Sequence, residues 1–420
     1  MKSNNDWGQS GMSFNAWKEA KLGDIAKVTK LAGFEFTKYI KYVDDGEIIA
    51  IRALNVKNGT FNLSDIKRIN KDVSDSLTRS KLYKDEIVLT YTGAKFGEVA
   101  IVKHNNRFHL APNVAKVSIK EGYDKYFIYS FLRSWKFRQQ LINYSVGSSQ
   151  PTIPMMAIRQ LSVPVPTLQE QKSIADTLCC IDEKIELNNS INKTLEEIAH
   201  AIFKSWFVDF EPFQNGEFED GELGSIPKGW RVDSLDNVAN YLNGIAMQKY
   251  RNETEEFLPV VKIKELNQGF TDNNCDKASV NIPEQYIVKD GDVIFSWSGT
   301  LMVKIWTGGI GGLNQHLFKV TSDKFPKWYY YLWTCHHLRQ FQAIAKDKAT
   351  TMGHIKRSHL SESKVLIPNE KDFNSLNDIM KPIIDEIIRV SCQNKNLIQI
   401  RDTLLPKLMS GEIMVPSEEV

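Results

Sequence analysis

The sequence lacks the residue patterns of a secreted, membrane-spanning or zinc-binding protein. Its five cysteines are an odd number without Cys-x-x-Cys spacing, which indicates reduced thiols rather than a disulfide framework or a zinc site. No apolar run approaches the ~20 residues that cross a bilayer. The first residues are too polar for a secretory signal. We therefore expect a cytoplasmic protein without a membrane partner.

Sequence patterns typical of catalysis are also missing. No Gly-x-x-x-x-Gly-Lys-Ser/Thr phosphate-binding loop occurs, and the glycines at 308–312 lack the spacing of a dinucleotide-binding loop. No Asn/Asp-Pro-Pro-aromatic segment could hold a flipped base for amino methylation. The eight histidines have no metal-ligand spacing. We therefore predict no catalytic residue, no bound metal and no cofactor of the chain's own.

Two short segments keep an enzymatic alternative open. Glu170-Gln-Lys172 and Glu362-Ser-Lys364 match the Glu-x-Lys half of a metal-dependent nuclease site. Neither follows a clear Asp on a neighbouring predicted strand, and the first lies at the start of a predicted helix. The alternative to a binding protein is therefore a divergent nuclease or methyltransferase that acts alone.

The net charge of +2 conceals a segregation of charge along the chain. Residues 17–166 contain 24 Lys and Arg against 14 Asp and Glu, whereas residues 230–368 contain 17 against 14. The segment that follows each of these blocks is acidic. Because clustered basic residues attract phosphates, this distribution favours contact between the first block and nucleic acid.

An internal repeat organises the chain. Residues 17–26 match residues 230–239 without a gap, and both segments begin with Trp and end with Ala. The matching continues in the same order, pairing 51–59 with 261–269, 86–93 with 292–299, 125–129 with 327–331 and 163–166 with 365–368. Only the loop lengths differ, so the chain contains a duplicated module.

Each copy of the repeat has the pattern of an α+β module. Short β-branched and aromatic runs alternate with Gly, Asn and Asp turns, which is typical of strands. In the first copy these runs are 47–51, 87–91, 99–102 and 114–119. Helices are predicted at 124–144 in the first copy and at 327–345 in the second. Modules of this length have a usual domain size.

A long helix with a narrow apolar face is predicted after each module. The positions of this face, most of them apolar, are spaced by three and four residues, which is the spacing of a coiled coil. In the first helix they are Ile174, Leu178, Ile181, Ile185, Asn188, Asn192, Leu195, Ala199, Ile202 and Trp206. In the second they are Leu376, Ile379, Ile383, Ile387, Val390, Asn394, Leu397, Arg401, Leu404 and Leu408. Both include Asn, which fixes register when buried.

We predict an α+β fold with two duplicated modules, separated by two long helices that pair as an antiparallel coiled coil. About forty residues of helix span ~60 Å. The predicted divisions are an N-terminal extension (1–16), module one (17–166), a central helix (167–210), an acidic Gly/Pro linker (211–229), module two (230–368), a C-terminal helix (369–412) and a tail (413–420).

Polar loops at equivalent places in the two modules are the candidate DNA contacts. Ser, Thr and backbone amides suit phosphates, and Asn, Gln, Lys and Arg form paired hydrogen bonds with base edges. In module one the candidates are Thr92, Lys95, Ser148, Ser149, Gln150 and Thr152. In module two they are Ser298, Thr300, Asn314, Gln315, His316, Thr350, Thr351, His354, Lys356 and Arg357.

Two roles compete for these loop residues. Taken singly, each one is slightly better explained as a turn or cap residue. Taken together, the loops favour DNA contact, with Lys95 expected on phosphate and Arg357 on guanine. A further alternative is a coiled-coil scaffold whose modules bind protein instead of DNA.

Four segments, taken in order, resemble the specificity subunits of type I restriction–modification systems. They are 164–175 (PVPTLQEQKSIA), 195–210 (LEEIAHAIFKSWFVDF), 221–230 (GELGSIPKGW) and 401–412 (RDTLLPKLMSGE). The resemblance covers nearly the whole chain. One departure lies at 368–373, which lacks the Glu-Gln pair present at 170–171. The resemblance therefore does not define the residue at which the second helix begins.

The resemblance implies a non-catalytic DNA-recognition subunit. Each module would be a target recognition domain for one half of a bipartite double-stranded DNA target. The paired helices would set the spacer and dock methyltransferase (modification) subunits, and the complex would recruit an ATP-driven restriction subunit with motor and endonuclease activity. S-adenosylmethionine, ATP and Mg are then expected on the partner subunits.

Overall fold

The computed structural model describes residues 17–57, 59–147, 150–251, 255–347 and 353–415. The chain divides into two compact units. Unit 1 consists of Met1–Glu183 and Gln399–Val420, and unit 2 consists of Lys184–Ile398. Each unit thus contains one copy of the repeat together with part of each long helix.

Module one is built from short strands and helices. Its strands are β1 (Lys18–Lys21), β2 (Ala26–Lys30), β3 (Ile48–Ile51), β4 (Val56–Lys57), β5 (Thr60–Phe61), β6 (Lys67–Ile69), β7 (Lys81–Leu82), β8 (Ile87–Thr90), β9 (Val99–Ile101), β10 (Phe108–Leu110), β11 (Val114–Ile119) and β12 (Ser162–Val165). Its helices are α1 (Leu22–Ile25), α2 (Gly33–Tyr39), α3 (Lys71–Ser76), α4 (Lys125–Arg133), α5 (Trp135–Tyr144) and α6 (Met155–Gln160).

Two four-stranded sheets form the body of module one. The first has the order β2-β11-β8-β9 and is antiparallel throughout. The second has the order β6-β3-β10-β7, and in it β3 and β10 run parallel. Both β3 and β8 are buried along their whole length. Burial on both faces explains why these strands are continuous apolar runs rather than alternating patterns.

Module two follows the long helix α7 (Leu168–Phe207). Its region contains β13 (Phe218–Gly221), β14 (Gly224–Pro227), β15 (Arg231–Ser234), β16 (Asn240–Asn243), β17 (Leu258–Val261), β18 (Lys277–Ala278), β19 (Ile287–Val288), β20 (Val293–Ser296), β21 (Met302–Ile305), β22 (Gly311–Leu313), β23 (Leu317–Thr321) and β24 (Lys364–Ile367). The helices are α8 (Leu235–Val238), α9 (Ile263–Gln268), α10 (Lys327–Asp347), α11 (Arg357–Glu362) and the long α12 (Glu370–Ser410).

The sheets of module two repeat those of module one. One sheet has the order β16-β23-β20-β21, and the other has the order β18-β17-β22-β19, in which β17 and β22 run parallel. A separate antiparallel pair joins the beginning and the end of each module, β1 with β12 and β15 with β24. The duplication detected in the sequence therefore extends to strand order and direction. The segment predicted as a linker contains the antiparallel hairpin β13–β14.

In each unit, α7 packs against α12. In unit 2, Asn188 Nδ2 donates to Asn394 Oδ1 at 2.8 Å, and Asn192 Nδ2 donates to Ser391 Oγ at 2.8 Å. Residue numbers rise along α7 while they fall along α12, so the paired helices are antiparallel. In unit 1, Ile174 and Leu178 of α7 share a core with Leu408 of α12.

Twelve positions of the two expected apolar faces are the ones we expect to pair the helices, and all twelve are at least partly buried. Those that are buried are Ile185, Asn188, Ile387, Val390 and Asn394. Those that are partly buried are Ile181, Asn192, Leu195, Ile202, Ile383, Leu397 and Leu404.

The predicted apolar face of α12 is wrong at one position, because Ile379 is 46% exposed. Met380 and Ile384 are buried in its place. They share a core with Trp328 of module two as well as with α7, so this part of α12 needs a wider apolar face than a two-helix seam.

The helix predicted at 124–144 is two helices in the structure. It is interrupted at Ser134, whose extended backbone ends α4 and whose Oγ accepts a hydrogen bond from Phe137 N at 3.3 Å. A serine in this position caps a new helix instead of continuing the old one. The equivalent stretch of module two is the single helix α10.

The two long helices begin with different residues, because α12 lacks the Glu-Gln pair that is present at the start of α7. At the start of α7, Thr167 Oγ1 accepts from Glu170 N at 3.3 Å as the N-cap, and Glu170 Oε2 in turn accepts from Thr167 N at 2.9 Å. Gln171 Nε2 donates to Pro166 O at 2.9 Å. At the start of α12, Asn369 Oδ1 instead accepts from Asp372 N at 2.9 Å. A side-chain N-cap is therefore kept, with different residues.

Candidate DNA interface

In module one, two of the predicted polar loops lie side by side. Gly93 N donates to Pro151 O at 3.0 Å, and Ile153 N donates to Tyr91 O at 2.9 Å. Thr92 and Thr152 form an antiparallel bridge, and Thr152 Oγ1 donates to Thr92 Oγ1 at 3.3 Å. The loop that follows β8 is thus joined to the loop between α5 and α6.

The same junction occurs in module two. Gly299 N donates to Gly353 O at 2.9 Å, and Ile355 N donates to Trp297 O at 3.1 Å. Ser298 and His354 form the antiparallel bridge. Each module therefore presents one composite loop surface, built from two segments that are distant in sequence.

The candidate residues differ in how much they are exposed. Lys95, Gln150, Thr300, His354, Lys356 and Arg357 are exposed. Thr92, Thr152, Gln315 and His316 are partly buried, and Ser298 and Asn314 are buried. Ser148, Ser149, Thr350 and Thr351 lie outside the described residues.

A small polar network in module two connects four of these candidates. Ser298 Oγ lies 3.0 Å from His316 Nδ1, and Asn314 Oδ1 accepts from His316 N at 3.3 Å. Gln315 Nε2 lies 3.3 Å from His316 Nε2. The buried Ser298 and Asn314 therefore orient His316, and His316 in turn orients the amide of Gln315. Of the four, Gln315 and His316 are the ones that reach the surface.

Trp297 and Asn243 belong to this surface but were not predicted from the sequence. Trp297 Nε1 donates to Asn243 Oδ1 at 2.9 Å, and the Trp297 ring centroid lies 6.2 Å from that of His316 and 6.3 Å from that of His354. The sequence signal that could have identified Trp297 is the aromatic residue that precedes a Thr-Gly or Ser-Gly pair in both copies of the repeat.

The aromatic residue at the corresponding place in module one is Tyr91. Lys30 Nζ lies 5.5 Å from the centroid of the Tyr91 ring. Burial raises the pKa of the Tyr91 hydroxyl, which is neutral near pH 7 even at its ordinary value of ~10. Each composite loop surface therefore includes an aromatic ring, the Tyr91 phenol in module one and the Trp297 indole in module two.

Arg357 has a role within the fold. Its Nη2 donates to Tyr241 O at 2.9 Å, and its guanidinium lies 5.7 Å from the Phe318 ring centroid. In module one, Arg159 Nη2 donates in the same way to Val28 O at 2.9 Å. Because both modules use an arginine to tie a short helix to the first strand of the antiparallel sheet, the structure favours an anchoring role for Arg357 over guanine contact.

Both Glu-x-Lys segments have structural contacts. Glu170 caps α7, as described above, and Lys364 Nζ lies 2.9 Å from Glu222 Oε1. Within the described ranges, His, Cys, Asp and Glu side chains form no cluster of three or more that could hold a metal ion. No helix in the described part of the chain is both long and apolar enough to span a bilayer.

Comparison with known proteins assigns the chain to a family. The family model for the type I restriction modification DNA specificity domain matches the chain twice, over residues 15–197 and 227–399. The chain belongs to the type I restriction–modification specificity subunits. The second match includes the divergent start of α12, so the different helix cap is a variation within the family.

Individual relatives resemble this specificity subunit along its whole length. It is 27% identical over 412 residues to the type I restriction enzyme MjaIX specificity subunit of Methanocaldococcus jannaschii, covering 95% of this chain and 94% of the relative. It is 22% identical to the HindI specificity subunit of Haemophilus influenzae, covering 94% and 99% of the two chains. The fold matches the S subunit of a type I system from M. genitalium with a TM-score of 0.57, 15% identity and coverage of 94% and 97%.

Proposed function

We propose that each module of this specificity subunit recognises one half of a bipartite double-stranded DNA target. The observation that supports this most directly is the composite loop surface, which occurs once per module with the same backbone hydrogen bonds. Two similar surfaces with different side chains suit two half-sites of different sequence. In module two, Gln315 is the residue best placed for a base edge, because its amide is oriented by a buried network.

The helix pair suits the role of a spacer. Asn188 and Asn394 form a buried polar layer in it, where Asn188 Nδ2 donates to Asn394 Oδ1 and Asn394 Nδ2 donates to Ile185 O. The Oδ1 atoms of Asn188 and Asn192 are buried without a hydrogen-bond partner among the described residues. Such a layer lowers stability but disfavours any slipped register, so it fixes how far the helices overlap.

Methylation and cleavage would be performed by partner subunits. On this proposal the helix pair docks methyltransferase subunits, and the complex recruits a restriction subunit that combines a motor with an endonuclease. S-adenosylmethionine, ATP and Mg would bind to those partners. The chain itself would contribute DNA recognition and no catalytic residue.

Methylation mapping in the host tests this function. Deleting the gene for the chain should abolish methylation at one bipartite sequence, and supplying the chain again should restore it. The purified chain alone should neither methylate nor cleave DNA. A scaffold predicts a methylation pattern that is independent of the chain. An enzyme that acts alone predicts activity without partners, so either result would refute the proposal.

Replacing Gln315 with Ala should relax one base position in one half-site. A paired amide contact to a base contributes ~1–3 kcal/mol of discrimination, so the preference at that position should fall roughly 5- to 150-fold. Methylation mapping on the complex measures this change. Gln399→Ala, on the exposed face of α12, is the matched control and should leave all positions unchanged. Unaltered specificity in the Gln315 variant would remove this residue from the base contacts.

A further inference from the structure

In unit 1, a single carboxylate joins module one to both long helices. Asp182 of α7 accepts from Arg133 Nη1 at 2.5 Å through Oδ2 and from Arg401 Nη1 at 3.0 Å through Oδ1. Arg133 is the last residue of α4, and Arg401 lies on α12. The three side chains are only 13–23% exposed. Partial burial strengthens such contacts by reducing solvent screening.

The Arg133 guanidinium is also tied to the sheet of module one. It lies 5.1 Å from the centroid of the Tyr129 ring, and Tyr129 Oη donates to Gly59 O at 2.7 Å. A Cβ atom at position 59 would lie 2.6 Å from Tyr129 Oη and 2.9 Å from Arg133 Cζ. Only glycine fits there, so the β4–β5 turn, α4 and the two long helices form one connected network.

Charges within the network are balanced around Asp182. Arg401 also bonds to Asp402, with Nη2 at 2.8 Å from Oδ1. Two arginines therefore face two aspartates: Asp182 accepts hydrogen bonds from both arginines, and Asp402 accepts from Arg401 and also interacts electrostatically with Arg133. Removing the Asp182 carboxylate would leave Arg133 partly buried with no hydrogen-bonded carboxylate among these contacts, which costs more than removing the pair together.

The described residues of module two contain no counterpart of this network. The match of 125–129 with 327–331, continued without a gap, places Cys335 at the position of Arg133, and the match of 51–59 with 261–269 places Gly269 at the position of Gly59. A Cβ at Gly269 would meet nothing within 4 Å. The contacts of module two with α12 include a different ion pair, between Lys395 Nζ and Asp290 Oδ2 at 2.5 Å. The Asp182 network is therefore a specific property of unit 1 and not a requirement of the duplicated fold.

We propose that Asp182 is a positioning residue that fixes the angle of module one on the helix pair, and thereby restricts the spacer length that the subunit accepts. This inference rests on the proposed function. The composite loop surface of module one shares a hydrophobic core with α4, because Ile153, Tyr91 and Phe131 belong to one cluster. A looser α4 would therefore present the same loops over a wider range of positions. The half-site sequence should then stay the same while the spacer becomes variable.

The test is methylation mapping on complete complexes containing the Asp182→Asn variant. We expect sites whose spacer is one base pair shorter or longer to gain methylation about tenfold relative to the wild type, with both half-sites unchanged. Asp176→Asn makes the same charge change at an exposed position of α7 and should keep the wild-type spacer. Asp182→Glu retains the carboxylate and should restore a single spacer.

A double variant, Arg133→Gln with Asp182→Asn, covers the case in which Asp182→Asn fails to assemble. It leaves no unpaired arginine, because Arg401 keeps Asp402, and it should assemble with the broadened spacer. A single wild-type spacer in either assembled variant would overturn the inference, and so would a changed half-site. If the wild-type chain itself specifies no bipartite site, the proposed function fails, which is a distinct result.

Discussion

Exchange of residues 230–368 for the corresponding module of a relative should replace one half of the methylated sequence and leave the other half and the spacer unchanged. The effect is large because all base contacts of one half-site change together. The reason is structural: the composite loop surface of module two is formed entirely from residues of that module, through the bridge between Ser298 and His354. Methylation mapping of the chimaeric complex measures the result.

Contacts with the long helices decide whether such a chimaera folds. Trp230 Nε1 donates to Asp372 Oδ2 at 3.0 Å, and Trp328 Nε1 donates to Asn377 Oδ1 at 2.9 Å. The exchanged module should therefore keep Trp at positions 230, 328 and 333, since Trp333 packs on Phe203 of α7 at a centroid distance of 5.0 Å. Without these residues the aromatic core shared with the helices would be disrupted.

A loop graft is the control for this experiment. Returning only Asn243 and residues 297–316 and 345–357 to the chimaera should restore the original half-site, because these residues form the composite loop surface. Two results would contradict the two-module proposal: a simultaneous change of both half-sites in the chimaera, or retention of the original sequence after the complete exchange.

The sequence predicted the features that depend on local pattern. Helices α7 and α12 follow from apolar spacing, and their Asn residues pair as a buried layer, as expected from their place in the pattern. The duplicated module follows from matched segments, and both copies have the same sheet order. The apolar face of α12 was misassigned at Ile379 because packing on module two widens it there.

Features that depend on distant residues were not predictable from pattern. The Asp182 network joins residues separated by 49 and 219 positions, and its members have no shared spacing that marks them. The candidate loops follow from the repeat, but the bridge that joins Thr92 to Thr152 spans 60 positions. Arg357 resembled a base contact because it follows a polar loop, whereas its hydrogen bond to Tyr241 O arises only once β16 and α11 are adjacent.

Lengthening both long helices by four residues should change the preferred spacer while preserving both half-sites. A copy of residues 196–199 inserted after Leu195, and a copy of 384–387 inserted after Ile387, lengthen α7 and α12 on the same side of the Asn188–Asn394 layer. Four residues add ~6 Å of helix and return the apolar face to within about 40° of its original direction. Because B-DNA rises ~3.4 Å per base pair, we expect one or two additional base pairs in the spacer.

Two further insertions separate length from disruption. Inserting two residues in each helix rotates the apolar face by about 200°, which would turn polar residues towards Ala199 and Ile384 and should abolish assembly. Inserting four residues in α7 alone shifts Phe203 and Phe207 by one turn against Leu376 and Met380, and should lower assembly without giving a new, defined spacer. The spacer is measured by methylation mapping on each complex that assembles. A folded, active complex that has both four-residue insertions and still prefers the original spacer would show that the helices do not set the distance between half-sites.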